Sequence, residues 1–217
     1  MHEYHKIQTM FLRNPQTRCR TLLEGQYALP EFDYLKDCGW IVTEKVDGTN
    51  IRVMWDGNTV TFGGKTDDTQ IPAHLANHLL GRFTERIMQS VFGDEGRVCL
   101  YGEGYGAKIQ KSGGRYRGDA GFIMFDANIG GTWLRRDDVA DISEKLLTSV
   151  VPVIGIMTLP EIYEYVKSGC GHSCIAEDKT LMMEGVVARP VVELFARDGS
   201  RIITKLKTKD FLRSRDI

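Results

Sequence analysis

The residues best suited to covalent chemistry lie at 45–50, which read Lys-Val-Asp-Gly-Thr-Asn. Lys45 ends a β-prone segment directly before an Asp-Gly turn, a position from which its amine can reach a pocket. A lysine attacks an electrophile only as the neutral amine, which a protein favours by burial or by nearby positive charge. By itself, the pattern fits equally well a hairpin turn beside a solvated lysine.

Four further segments strengthen the chemical interpretation. Glu103 stands among glycines at 101–106, a composition that suits close approach of a ligand. Phe122 and Phe125 belong to an aromatic strand pattern, and Glu184 begins an apolar one. Residues 205 and 207 are both lysines, which period-two alternation places on one face of a strand.

In chain order, the segments KVDG, YGEGYG, FIMFD, MEGVV and KLK resemble motifs I, III, IIIa, IV and V of the covalent nucleotidyltransferases. That superfamily contains DNA ligases, RNA ligases and mRNA capping enzymes. The resemblance spans roughly residues 40–212. The sequence KVDGTN, followed by Lys65 in GGKTDD, is most similar to the RNA ligase 2 group of phage-type ligases.

The resemblance implies a role for each matched residue. Lys45, Lys205 and Lys207 are the implied catalytic residues: Lys45 forms a lysyl-AMP intermediate, and the other two hold the α-phosphate. Glu184 is implied in binding Mg²⁺ or Mn²⁺, and oxygen donors suit these ions better than zinc. The remaining implied nucleotide contacts are Glu44, Val46, Asn50, Lys65, Glu103 and Phe122.

Within that set, Glu103 corresponds to the ribose-binding acid and Phe122 to the aromatic that stacks on adenine, with Phe125 assigned to the core. Asn50 and Lys65 resemble the residues that orient the adenylylated 5′-phosphate. Asp47 and Lys65 depart from the RNA ligase pattern, which usually has histidine and arginine there. A lysine lacks the bidentate fork of arginine, so we expect a looser grip on phosphate at residue 65.

The implied activity is ATP-dependent ligation of RNA. AMP passes from ATP to Lys45 and then to a 5′-phosphate end, which is finally sealed to a 3′-hydroxyl. This is in-line phosphoryl transfer, which depends on positioning and charge neutralisation. The alternatives are a DNA nick-sealing ligase, a GTP-using guanylyltransferase, and an inactive nucleotide- or RNA-binding relic.

Two groups of basic residues are candidates for nucleic-acid contacts, with solvated loops as the alternative. The first follows the YGEGYG segment and the second lies near the C-terminus, and a polyanion bound at either would be held in a salt-dependent way. The first group is Lys108, Lys111, Arg115 and Arg117, and the second is Arg201, Lys209, Arg213 and Arg215.

The elements expected to position these residues indicate an α+β fold. Its antiparallel sheets are flanked by helices, and a nucleotide pocket lies between them. Residues 40–46, 50–55 and 59–62 are expected to form a three-stranded meander, and residues 72–91 a single helix with an apolar stripe. Further strands are expected at 97–101, 121–127, 183–188 and 201–206. Further helices are expected at 137–147, after Pro160 and at the C-terminus.

Composition sets the remaining expectations. The 217 residues carry a net charge of −1, which gives no global basic excess, so a polyanion must meet local patches. No window approaches the about 18 apolar residues of a membrane span, and the five scattered cysteines suit a reducing cytoplasm. Cys170, His172 and Cys174 are too few for a structural zinc site. We expect one adenylyltransferase domain over 1–217, without an OB-fold or a C-terminal helical domain.

Overall fold

The computed structural model describes residues 3–212, which contain mixed helices and strands in agreement with the expected α+β class. The strands, in chain order, are β1 (Gln8–Thr9), β2 (Phe11–Arg13), β3 (Leu22–Tyr27), β4 (Trp40–Glu44), β5 (Thr49–Trp55), β6 (Val60–Gly63), β7 (Val98–Gly106), β8 (Ala120–Ile129), β9 (Thr132–Trp133), β10 (Ser149–Val150), β11 (Val153–Met157), β12 (Gly185–Pro190) and β13 (Thr204–Lys207). The helices are α1 (Pro30–Tyr34), α2 (Ala73–Arg82), α3 (Glu85–Phe92), α4 (Gly113–Tyr116), α5 (Arg136–Lys145), α6 (Leu159–Lys167) and α7 (Lys209–Leu212). No helix in this described part is long and apolar enough to cross a membrane.

The described chain divides into two compact units. Unit 1 contains residues 3–4, 47–151 and 176–178, and unit 2 contains residues 5–46, 152–175 and 179–212. The chain passes from unit 2 into unit 1 between Val46 and Asp47, which is immediately after the lysine of interest. The candidate site residues are therefore distributed over both units.

Unit 1 is built on a sheet in which β10, β8, β7, β5 and β6 are neighbours in that order, with β9 paired to β8. The side chains of Ile51, Val53 and Trp55 alternate along β5 and enter the core, where Leu75 and Leu79 of α2 pack. The long pairing of β7 with β5 and β8 places Glu103 beside Asn50 and Ile123.

Unit 2 is built on a five-stranded sheet with the order β1-β13-β12-β4-β11, and a separate pair joins β2 to β3. Strand β4 is central, and its Trp40 and Val42 are fully buried with Leu159, Ile162 and other residues of α6. Helix α6 begins with a capping box between Thr158 and Glu161. This core fixes the end of β4, from which Lys45 extends.

Three expectations about the elements were wrong in detail. The residues at 40–46 do not join the meander, because β4 pairs with β12 and β11 while β5 pairs with β6 and β7. The expected helix at 72–91 is two helices, since Thr84 caps α3 by accepting a hydrogen bond from the Ile87 amide at 3.3 Å. The sheets are mainly antiparallel, but β1 pairs with β13, and β10 with β8, in parallel.

Candidate active site

Lys45 is the first residue after the central strand of unit 2. Its amide donates a hydrogen bond to the carbonyl oxygen of Gly185 at 3.0 Å, so the backbone at Lys45 remains attached to the start of β12. Its Nζ donates to Oε2 of Glu184 at 2.7 Å and to the carbonyl oxygen of Val46 at 3.4 Å. The amine therefore faces a carboxylate and is one-fifth exposed.

Glu184 accepts hydrogen bonds from two lysines. Besides Lys45, the Nζ of Lys207 on β13 donates to Oε1 of Glu184 at 2.5 Å. Burial alone raises the pKa of Glu184, but the charge of Lys45 and the hydrogen bonds from Lys207 and Lys45 outweigh burial, and the net pKa is below its ordinary value. The structure thus joins three residues from distant parts of the sequence into one charged cluster at the ends of β4, β12 and β13, which we call the lysine–glutamate cluster (Lys45, Glu184 and Lys207).

Gly185 allows β12 and β13 to approach at this point. A Cβ at residue 185 would lie 2.1 Å from the carbonyl oxygen of Leu206, and its φ of +153° is one that side chains disfavour. The amide of Thr208 also donates to the carbonyl oxygen of Glu184 at 2.9 Å. The backbone on both sides of Glu184 is therefore fixed against β13.

Glu44 and Val46 flank the candidate nucleophile but are themselves buried. The Glu44 carboxylate is 1% exposed and accepts hydrogen bonds from the Ser173 hydroxyl and, at 2.8 Å, from the Cys174 amide. Val46 is 4% exposed. The side chain of Glu44 is thus occupied with the loop at 173–174, and a nucleotide contact at either residue stays a prediction.

Asn50 and Glu103 lie opposite each other in unit 1. They are register partners on β5 and β7, so their side chains project from the same face of the sheet. Oδ1 of Asn50 is buried and accepts no hydrogen bond from any described residue. A buried acceptor without a partner costs about 1–3 kcal/mol, which a water or a ligand donor would relieve. This geometry favours a ligand-binding role for Asn50.

Phe122 lies in the core of unit 1. It is 4% exposed, and its ring meets that of Phe83 edge to face at 5.3 Å between centroids. A Cβ on Gly102 would come within 2.4 Å of the Phe122 ring, so the glycine makes room for the aromatic. Stacking on adenine stays a prediction, and it requires one face of this ring to become accessible. Phe125, which we expected in the core, is half-buried and contacts Tyr4.

Lys65 is exposed in the turn that follows β6. Sequence reasoning did not identify Arg52, which is fully buried and holds this turn. Its Nε donates to the carbonyl oxygen of Gly64 at 2.9 Å and its Nη2 to Oδ1 of Asp67 at 2.6 Å. Arg52 therefore positions the turn that carries Lys65, and its place in a strand pattern gave no signal of that role.

The basic residues at 108–117 belong to a segment that packs on the Asp47-Gly48 turn. Ser112 donates to Oδ2 of Asp47 at 2.9 Å, and Gln110 donates to the carbonyl oxygen of Gly48 at 2.9 Å. The Asp47 amide donates to the hydroxyl of Tyr116 at 3.4 Å. These three contacts join residues more than 60 positions apart in the sequence, so no local pattern could have revealed them.

Two of the four cations in this segment form ion pairs. Arg115 pairs with Asp178 at 2.7 Å, and Arg117 pairs with Asp119 at 2.5 Å and lies over the Tyr105 ring. Lys108 and Lys111 are exposed. Contact of the segment with nucleic acid stays a prediction, for which these two lysines are the more accessible groups.

The expected cluster near the C-terminus is not formed as predicted. Arg201 is 6% exposed and pairs with Glu193, so it is wrong to count it as a surface cation. Lys209 is exposed, whereas Arg213 and Arg215 lie outside the described residues. In the nearby cysteine segment, the Cys170 thiol lies 3.1 Å from the Thr208 hydroxyl.

The metal-binding potential of the site is limited to single carboxylates. Among the described residues, no group of three or more His, Cys, Asp or Glu side chains could hold a metal ion. Glu184 supplies hard oxygen donors, and both oxygens are bonded to lysines here. A divalent cation fits this donor set only if a substrate and water complete its coordination, which is usual for Mg²⁺.

Comparisons with known proteins agree with this arrangement. A sequence profile described as RNA ligase matches residues 39–207. A Naegleria gruberi RNA ligase with PPi superposes with a TM-score of 0.65 at 19% identity, over 98% of this chain and 59% of that chain. A mutant of that ligase with ATP and Mn gives a TM-score of 0.68 at 18% identity, over 99% and 58%. No curated protein matches at significance.

These likenesses support the fold that the sequence predicted. The chain spans less than 60% of the length of these two Naegleria gruberi ligase chains. At such low identity, the structural likeness establishes the shared fold of the matched region. The profile match covers the five motifs and all residues from the central strand β4 to Lys207.

Proposed function

Since this chain belongs to the RNA ligase family, we propose that it is an ATP-dependent RNA ligase acting through a covalent lysyl-AMP intermediate on Lys45. The observation that carries the proposal is the lysine–glutamate cluster. It places the Nζ of Lys45 2.7 Å from Glu184, which also binds Lys207. An amine, a carboxylate and a second cation are the groups that nucleotidyl transfer to an amine needs.

The first step would form a bond between Nζ of Lys45 and the α-phosphorus of ATP. The bond from that phosphorus to the bridging oxygen breaks, and pyrophosphate leaves with the electron pair. Lys45 loses its protons to solvent or to a neighbouring base, giving a neutral phosphoramidate. Lys207 and Lys205 would neutralise charge on the α-phosphate during this step.

The later steps would use the same phosphorus and then the RNA ends. A 5′-phosphate oxygen attacks the α-phosphorus, the bond to Nζ breaks, and Lys45 recovers a proton. A 3′-hydroxyl then attacks the activated 5′-phosphate, and AMP leaves as the phosphodiester forms. We assign the ribose, adenine and 5′-phosphate contacts to Glu103, Phe122, Asn50 and Lys65, on the basis of the motif resemblance.

A divalent cation, Mg²⁺ or Mn²⁺, would be held by Glu184 together with phosphate oxygens and water. Its contribution when bound would be to neutralise charge on the transferring phosphoryl group. For Glu184 to accept the cation, at least one of its two lysine contacts must be released. The ion pair to Lys45 is the one whose release also frees the nucleophile.

The test is mass spectrometry of the protein after exposure to ATP or GTP with magnesium. We expect the mass of one adenylate to be added with ATP and none with GTP. Lys45→Ala should remove the gain, whereas Lys145→Ala, which alters an exposed lysine of α5, should retain it. Labelling with GTP alone would favour a guanylyltransferase, and absence of any label would favour an inactive relic.

The polynucleotide substrate needs a separate measurement. We propose RNA because of the family, and sealing of RNA and DNA nicks should be compared side by side with the same adenylylated preparation. Faster sealing of RNA is expected. A preference for DNA would contradict this part of the proposal and leave the lysyl-AMP chemistry intact.

A further inference from the structure

Unit 2 contains a cavity of about 670 Å³ with strongly basic walls. Its lining includes six cationic side chains and a single acid, Asp210. We call this cavity the basic groove and define it by its cations, which are Lys6, Arg13, Arg20, Lys205, Lys207 and Lys209. The volume falls in the range of about 300–1,000 Å³ that is common for ligand sites.

Internal pairing leaves most of this charge uncompensated. Arg13 binds Asp210 through hydrogen bonds of 3.2 to 3.3 Å, which neutralises the acid. Lys207 is paired with Glu184. Lys6, Arg20 and Lys209 are exposed and form no ion pair with any residue that the structure describes. The groove therefore carries a net positive charge that favours an anion.

The basic groove is continuous with the lysine–glutamate cluster. Lys207 lines the groove and also donates to Glu184, which binds Lys45 on its other oxygen. Lys205 lines the same wall, since residues 205 and 207 share one face of β13. An anion in the groove thus lies beside the residues proposed to transfer AMP.

We propose that the basic groove binds the phosphate backbone of the RNA strand whose 5′-phosphate receives AMP. In-line transfer brings the attacking phosphate to the side of the α-phosphorus opposite Nζ of Lys45, so that strand needs cations close to the cluster. The groove lining contains no aromatic side chain for base stacking, so recognition is independent of sequence. The choice of RNA as the polyanion rests on the proposed function, whereas the basicity of the groove does not.

The experiment measures RNA binding without ATP or metal, so that it does not depend on catalysis. The probe is a 12-nucleotide 5′-phosphorylated RNA with a 3′ fluorophore, followed by anisotropy over a range of salt concentrations. The groove variant combines Lys6→Ala, Arg20→Ala and Lys209→Ala. A control variant removes the same charges from exposed sites elsewhere, by Lys36→Ala, Arg86→Ala and Lys145→Ala.

The groove variant is expected to raise the Kd for RNA at least tenfold. The slope of log K against log salt should fall by about 2, because each lost phosphate contact on a single strand removes about 0.7. The control variant should change the Kd less than twofold, and RNAs of different sequence should bind equally well. If the triple variant does not fold, Arg20→Gln alone should reduce the slope by about 0.7.

Two results would overturn the proposal. One is an unchanged Kd and salt slope in the folded groove variant. The other is an unchanged RNA affinity with a KM for ATP raised tenfold in self-adenylylation, which would assign the groove to the polyphosphate of ATP. Failure of the lysyl-AMP proposal is recognised separately, because the mass measurement on Lys45 uses no RNA.

Discussion

The carboxylate of Glu184 accepts a hydrogen bond from the Nζ of Lys45 at 2.7 Å, so the proposed nucleophile is held in an ion pair. An ammonium group has no lone pair, and this contact must therefore open before Lys45 can attack phosphorus. The second oxygen of Glu184 is held by Lys207 in the same way. Release of the amine is thus linked to whatever else binds the carboxylate.

Replacing Glu184 with glutamine should slow self-adenylylation. The amide keeps the size of the side chain but loses the charge that aligns the two lysines and would hold a divalent cation. We expect the rate of adenylate incorporation to fall at least tenfold, about 1.4 kcal/mol in the barrier. Glu164→Gln on the exposed face of α6 is the matched control, and equal rates in the two variants would contradict the assignment.

The same residue predicts how stability depends on pH. The pKa of Glu184 is lowered in the folded protein from 4.5, so the unfolded chain binds more protons between the two values. Stability from this group is therefore fully present above about pH 4.5 and lost as the pH falls through the folded pKa. Urea unfolding from pH 3 to 7 should show a smaller acid loss in Glu184→Gln than in the wild type. Parallel profiles would contradict the prediction.

Gly185→Ala should disturb the junction of β12 and β13. The new Cβ would lie 2.1 Å from the Leu206 carbonyl oxygen, and relief requires movement of backbone next to Glu184. We expect a loss of about 1–3 kcal/mol in the free energy of unfolding together with slower adenylylation. In contrast, Gly81→Ala in α2 meets nothing within 4 Å and should stabilise the protein by up to about 1 kcal/mol.

Ser112 should act as a positioning residue for the turn that follows Lys45. Ser112→Ala removes the hydrogen bond to Asp47, a charge-assisted bond of about 1.5–3 kcal/mol, and allows the turn to relax. We expect kcat for self-adenylylation to fall about three- to tenfold, since part of that energy holds the turn, with little change in the KM for ATP.

Ser112→Thr keeps a hydroxyl and should restore most of the rate. A loss that appears equally in both variants would indicate a packing defect and would refute a role for the hydroxyl.

The sequence alone determined the chemistry-bearing residues and the class of fold. Lys45, Glu184 and Lys207 each occupy a strand end that hydrophobic alternation and turn residues identify locally. The observed strands β4, β12 and β13 agree with those predicted to within about three residues at each end. Local patterns suffice here because strand alternation is a property of neighbouring residues.

The tertiary structure decided which of these residues meet. Glu184 contacts Lys45 across 139 positions, and the break between α2 and α3 depends on one capping threonine. Strand β4 joins a different sheet from β5, although only four residues separate them. Arg52, Ser112 and the basic groove were found only in the structure. Pairing between strands and closure of long loops depend on the energy of the whole core, which no local window contains.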